Sequence, residues 1–143
     1  MKFDPRKDIP DLEGRTILVI GGINGLGKET VLQLAKHKPT TIISTGRSQS
    51  SAEIFMRACA SLPMGTTLRF IVIDLTSFPA ITLGVKRSTA LASRIDIVLC
   101  VASQMTTTVS FTPSGHEILF AVNHLSHTLF RRPLWVEWRI TFE

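Results

Sequence analysis

With 143 residues the chain is long enough to fold as one domain around its own core, and 44% apolar against 19% charged residues excludes a disordered chain. No apolar run reaches the length of a membrane span, and the charged, proline-bearing segment from Met1 to Asp11 lacks a secretory pattern, so a soluble, cytoplasmic protein is expected. The net charge of +5 is scattered apart from small clusters at Lys36-His37-Lys38 and Arg131-Arg132; with no reader motif beside it, it predicts a solvated basic surface and no nucleic-acid partner.

Past the polar leader, the β-branched run Thr16 to Ile20 predicts a buried strand. A glycine-rich turn from Gly21 to Gly27 then opens a helix over about Leu26 to Lys38. Leu26, Val31, Leu34 and Ala35 share one face of it, and Pro39 marks its end. Thr41 to Thr45 reads as the second strand and Gly46-Arg47-Ser48 as the loop after it. A second helix over about Ser51 to Ser61 is closed by the turn residues Leu62-Pro63-Met64-Gly65. Cys59, within that helix, and Cys100 form no CxxC pair and no metal spacing, and both read as reduced core thiols. Leu68 to Ile73, apolar apart from Arg69, reads as a central parallel strand, with Asp74 at its carboxyl end. The third helix, about Phe78 to Ser93, is weakened by Gly84. Ile95 to Val101 is the fourth strand, and a threonine-rich loop runs from Ser103 to Thr112. Ser114 with Glu117 predicts a capping box for a fourth helix reaching about Phe130. Strands alternating with helices at this spacing predict a parallel α/β sheet with right-handed crossovers.

The segment Ile17-Leu18-Val19-Ile20-Gly21-Gly22-Ile23-Asn24-Gly25-Leu26-Gly27-Lys28-Glu29 reads as strand, turn and helix start. Gly21, Gly25 and Gly27 divide three tasks: a tight turn, close approach of backbone to a pyrophosphate, and close packing of helix on sheet. The free N–H groups of the first helical turn and the helix dipole then favour phosphate charge. A glycine cluster alone fits a loop or a helix cap. Behind a strand and ahead of a helix it points to a nicotinamide dinucleotide, with Gly21, Ile23, Gly25, Leu26 and Gly27 as cofactor-binding candidates. Arg47, twenty residues past Gly27, stands where an arginine accommodates the 2′-phosphate of NADP and a carboxylate would favour NAD. NADP is therefore expected over NAD, although a surface arginine in a turn is the plainer alternative. Lys28 adds positive charge near the phosphates. Asp74 is placed either to accept from the adenine amino group or to cap its own turn.

Taken together, these residues resemble the short-chain dehydrogenase/reductase family. The match runs from about Asp8 to Phe130 through Gly21-Gly22-Ile23-Asn24-Gly25-Leu26-Gly27, Asp74-Leu75, Asp96-Ile97-Val98-Leu99-Cys100-Val101-Ala102-Ser103 and Val122-Asn123-His124-Leu125-Ser126-His127. Asp8-Ile9-Pro10-Asp11-Leu12 and Leu32-Gln33-Leu34-Ala35-Lys36-His37 are similar to the fungal retinol-dehydrogenase-like reductases, many of which tailor secondary metabolites. The resemblance implies a Rossmann-type parallel sheet, partial, of strand order 3-2-1-4 with helices on both faces. It divides the chain into an incomplete NADP-binding domain at 1–130 and a divergent tail at 131–143. It also implies that Asn123 is what is left of a proton relay, or else a buried polar helix residue that satisfies nearby backbone. His124 and His127, three apart and without further ligands of suitable spacing, read as packing or surface residues, and no metal is expected.

Departures from the family pattern shape the functional expectation. Ile20 replaces the threonine before the first glycine and removes a hydroxyl from the support of the turn. Val101-Ala102-Ser103 stands for Asn-Ala-Gly: Val101 lacks the amide, and Ser103 adds a side chain near the cofactor. The chain has no tyrosine, whereas in the family the tyrosine of Tyr-x-x-x-Lys gives the proton, the lysine lowers its pKa and a serine positions the carbonyl. Pro133 is expected to interrupt a helix, and the alternation of Leu134, Val136, Trp138, Ile140 and Phe142 has strand periodicity. The expectation is a C-terminally truncated reductase that binds NADP(H) and is not catalytic alone. The alternatives are an oxidoreductase completed by a partner or a longer transcript, acting on an unknown small molecule, and an interaction module. The apolar edge of the fourth strand is a template for self-association.

Overall fold

Parallel strand pairing in the order β3-β2-β1-β4 organises the computed structural model, which describes residues 3–60 and 65–139. In chain order its elements are α1 (Pro5–Asp8), β1 (Thr16–Ile20), α2 (Gly25–Ala35), β2 (Thr41–Gly46), α3 (Gln49–Cys59), β3 (Thr67–Val72), α4 (Phe78–Leu91), β4 (Ile97–Cys100), α5 (Ile118–Phe120), a π segment (Ala121–Leu125) and α6 (Ser126–Arg139). The sheet is the expected α/β Rossmann type. β1 is interior, with Ile20 beside Thr45 of β2 and Cys100 of β4, whereas β3, expected to be a central strand, lies at the edge beside β2 with only Ile71 buried.

Because strand side chains alternate between faces, β1 feeds two cores. Leu18 and Ile20 join Ile43, Ile73, Ile81, Val85, Phe130 and Leu134 on the face covered by α4 and α6. Ile17 and Val19 join Ile42, Val31, Ala35, Phe55 and Cys59 under α2 and α3. Helices on both faces are why β1 reads as an almost unbroken apolar run, whereas β2 buries Ser44 and Thr45 beside Ile42 and Ile43.

Several boundaries differ from expectation, each for a local reason. The leader holds one helical turn, α1, begun by Asp4, whose side chain accepts from the Arg6 amide. α2 stops at Ala35 because Lys38 takes a left-handed φ of 59°, so Pro39 follows a helix already closed. Leu26 lies off the buried face of α2, exposed at its start. α3 starts at Gln49 because the Ser48 hydroxyl accepts from the Ser51 amide at 3.2 Å. Gly84 does not weaken α4. It is buried where a Cβ would run into the Ile73 side chain, so it lets the helix lie close to the sheet. Cys59 is buried as expected, but Cys100 is exposed. The turn expected at Leu62-Pro63-Met64 lies outside the described residues.

The fourth helix is not opened by Ser114. The cap is Glu117, whose carboxylate accepts from the Leu119 and Phe120 amides at 3.0 and 2.8 Å, while Ser114 bonds Thr112 and His116 instead. Those amides hold the Glu117 carboxyl below the usual carboxylate range. Nor does Pro133 end α6. Phe130 and Leu134, one turn apart, are both buried on the α4 side, and Pro133 faces out. The alternation read as a strand from Leu134 onward is helix as far as Arg139; Ile140 and Phe142 lie outside the described residues.

Candidate functional site

At the carboxyl ends of the parallel strands lies a cleft of about 460 Å³. This is where open α/β sheets bind ligands, beside the point at which strand order reverses. Here β1 is flanked by β2 and β4, so its turn lies at that point.

The turn is built to bring backbone close. Gly21 has φ +89° and Gly25 φ +50°, which side-chain-bearing residues rarely adopt. A Cβ on Gly27 would run into the carbonyl of Gly21, and one on Gly21 would lie 2.7 Å from Cα of Ala102. Asn24 precedes α2 in an extended conformation without a side-chain cap, in contrast to Ser48 before α3 and Ser77 before α4. The first amides of α2 are therefore free for an anion.

Of the candidates, Gly21, Ile23, Gly25, Leu26, Gly27, Arg47 and Asp74 all line this cleft. Ile23 is buried and occupies space left by Gly46, where a Cβ would sit 2.6 Å from the Ile23 side chain. Arg47 is exposed at the rim and has no ion-pair partner among the described residues. Asp74 does cap its own turn: Oδ1 accepts from the Thr76 amide at 2.9 Å and the Thr76 hydroxyl at 2.8 Å. Its Oδ2 has no partner among the described residues. Lys28 is not part of the lining. It is exposed on α2, and its charge offsets part of the burial that pushes the Cys59 thiol up. No group of three or more His, Cys, Asp or Glu among the described residues could hold a metal ion.

Asn123 sits in the π segment, away from the lining. Its carboxamide is paired with the backbone of Gln104, accepting from the amide at 2.8 Å and donating to the carbonyl at 2.9 Å. It thus acts on the cleft through the loop after β4, where Val101, Ala102, Ser103 and Gln104 form one wall. Two further residues support the site: Thr45, which the sequence did not single out, and His127, which it read as a packing or surface residue. The hydroxyl of Thr45, buried on β2, accepts from the Gly21 amide at 3.2 Å and supplies from the next strand the support missing at Ile20. The pairing of Ile20 with Thr45 is the feature that could have revealed it. His127 Nε2 lies 2.8 Å from the Ala102 carbonyl.

A glycine turn at the reversal point of a parallel sheet, with an uncapped helix N-terminus behind it, defines an α/β nucleotide-binding fold. A family model described as short chain dehydrogenase matches residues 15–134, and the chain belongs to that family. An uncharacterized oxidoreductase of Schizosaccharomyces pombe is 30% identical over 136 residues, which cover 95% of this chain and 40% of that protein. Retinol dehydrogenase 13 of Mus musculus is 29% identical over 118 residues, covering 82% of this chain and 35% of its own. The chain thus spans two fifths or less of these curated relatives. Among solved structures, a metagenomic short-chain oxidoreductase in complex with NADP aligns with a TM-score of 0.73 at 20% identity, covering 85% of this chain and 55% of that one. A protein from Mycobacterium paratuberculosis aligns with a TM-score of 0.74 at 23% identity, covering 94% of this chain and 46% of its own. Both share the fold. No helix among the described residues is long and apolar enough to cross a membrane.

Proposed function

We propose that this chain binds a nicotinamide dinucleotide, NADP(H) in preference to NAD(H), and does not by itself reduce a carbonyl. The observation that carries the reading is the cradle: Gly27 has no room for a side chain against the Gly21 carbonyl, and the amides of α2 behind it are uncapped. The turn and α2 would hold the pyrophosphate, Arg47 the 2′-phosphate, and Oδ2 of Asp74 the adenine amino group. Bound NADPH supplies a hydride. Family membership supports reduction of a carbonyl, or oxidation of an alcohol, on a small metabolite as the parent reaction, and the fungal resemblance supports secondary metabolism as its setting. The polypeptide has no tyrosine to deliver the proton, and the carboxamide of Asn123 is taken up by Gln104.

Fluorescence titration with NADPH and NADH tests the reading. Saturable binding that favours NADPH is expected, with Arg47→Ala weakening NADPH about tenfold and NADH little, since a charge-assisted contact is lost only to the first. Equal affinity for both removes the NADP preference, and no binding removes the function. Steady turnover of a ketone by the purified chain with NADPH would refute the second half of the proposal. A second reading, strand addition by a second copy of the chain, is favoured by β4, which among the described residues pairs with β1 alone.

A further inference from the structure

Ala102 is fixed at three points. Its amide donates to the Ile20 carbonyl at 2.8 Å, and its Cα occupies the space that a Cβ on Gly21 would need. The third point is its carbonyl, which faces His127 Nε2 at 2.8 Å. A carbonyl only accepts, so Nε2 is the donor in this bond. Nδ1 is buried and finds no partner among the described residues. A leucine would fill this space without an orphaned nitrogen; what the imidazole adds is the bond to Ala102.

That bond is one rung of two. Asn123, four residues earlier, holds the Gln104 backbone through both ends of its carboxamide. Four helical residues rise about 6 Å and two extended residues about 6.6 Å, so helix and loop run antiparallel in matching steps. Val101 brings no polar side-chain atom to the loop, and the helix supplies the anchoring instead.

We propose that His127 is a positioning residue for the nicotinamide side of the cleft. The inference rests on the nucleotide reading above. Arg47 and Asp74 follow β2 and β3 on one side of β1, and Val101 to Gln104 follow β4 on the other. A dinucleotide lying across the turn puts its adenosine half on the first side and its nicotinamide half against the second. By holding the Ala102 carbonyl, His127 sets the wall that the second half meets.

The test compares NADPH with 2′,5′-ADP, which carries only the adenosine half, on wild type, His127→Leu, His127→Gln and His127→Asn. Gln places its amide where Nε2 lies, whereas Asn reaches only to the Nδ1 position. Loss of the bond should raise the NADPH dissociation constant about 5- to 10-fold in the Leu and Asn variants, with 2′,5′-ADP unchanged within about twofold and Gln within about threefold of wild type for both ligands. If His127→Leu does not fold, Asn read against Gln carries the comparison. Equal weakening of both ligands, or an unchanged NADPH constant in Leu and Asn, overturns the role of His127 while leaving the nucleotide reading intact. A wild-type chain that binds neither ligand overturns both.

Discussion

Asp96 ties the segment just before β4 to the start of β1. Its Oδ2 accepts from the Thr16 amide at 2.8 Å, and its Oδ1 faces Arg94 and, at 3.0 Å, Arg15. The carboxylate is 6% exposed, whereas the side chains of Arg15 and Arg94 are 51% and 56% exposed. Burial pushes its pKa up, but the Thr16 amide and the two arginines together pull it further down, leaving it below the usual carboxylate range. A depressed folded pKa adds stability that is complete above the unfolded value, about 3.9, and is lost as pH falls from there through the folded value. Asp96→Asn should cost about 1–2 kcal/mol at pH 7, the exposed arginines limiting the effect, and should flatten the loss of stability below pH 4. Urea unfolding of both proteins at pH 7, 4 and 3 checks this; parallel curves would place the acid sensitivity elsewhere. Residue roles were legible in the sequence where they follow from the residue itself. Gly21 and Gly27 act through lacking a side chain, which spacing alone conveys. Thr45 and His127 act through neighbours 24 and 25 positions away, which only register and packing reveal. Asp74 was open to two roles, and its contact with Thr76 establishes the turn-capping one.

Elements were legible in proportion to how far local pattern controls them. β1 is buried on both faces, so an apolar run from Ile17 to Ile20 defines it, while β2 was legible from the β-branched residues Thr41 to Ile43 and Thr45. Their order followed from alternation and the family resemblance. Helix ends were less legible because they depend on single contacts: the Ser48 cap, the left-handed Lys38, and Glu117 in place of Ser114. α6 is the clearest case of tertiary packing overriding local pattern. Its last residues alternate as a strand would and contain a proline, yet the chain stays helical to Arg139. Phe130 and Leu134 bury one helical turn of apolar surface against the α4 side; a strand would also set them on one face, but about 13 Å apart rather than about 6 Å. Pro133 still lacks an N–H and crowds the preceding turn. Pro133→Ala should therefore stabilise the protein by about 1–3 kcal/mol, with a small gain in helical ellipticity, since the side chain faces out. Chemical denaturation monitored at the helical band measures it. No gain would mean that the helix bends at this point without penalty.

At the scale of the whole molecule, two opposing terms decide whether β4 recruits a second copy. The strand is uncharged, and its Ile97, Val98 and Leu99 are only half-buried, so its free edge favours pairing. The net charge of +5 on each copy opposes it. Pairing two strands of four residues buries well under the roughly 1,000 Å² expected of a stable interface, so the association is weak. Salt distinguishes the terms. Added salt screens repulsion between like-charged copies beyond about 10 Å at 0.1 M and about 3 Å at 1 M, while apolar contact and backbone pairing are little affected. Association through β4 should therefore strengthen with ionic strength, opposite to an assembly held by ion pairs. Light scattering over a concentration series is expected to give 15.8 kDa in dilute, low-salt solution and to climb toward twice that mass as both concentration and salt rise. A mass that holds at the monomer value throughout would eliminate edge pairing by this chain. One that falls as salt is added would assign the contact to charged surface instead.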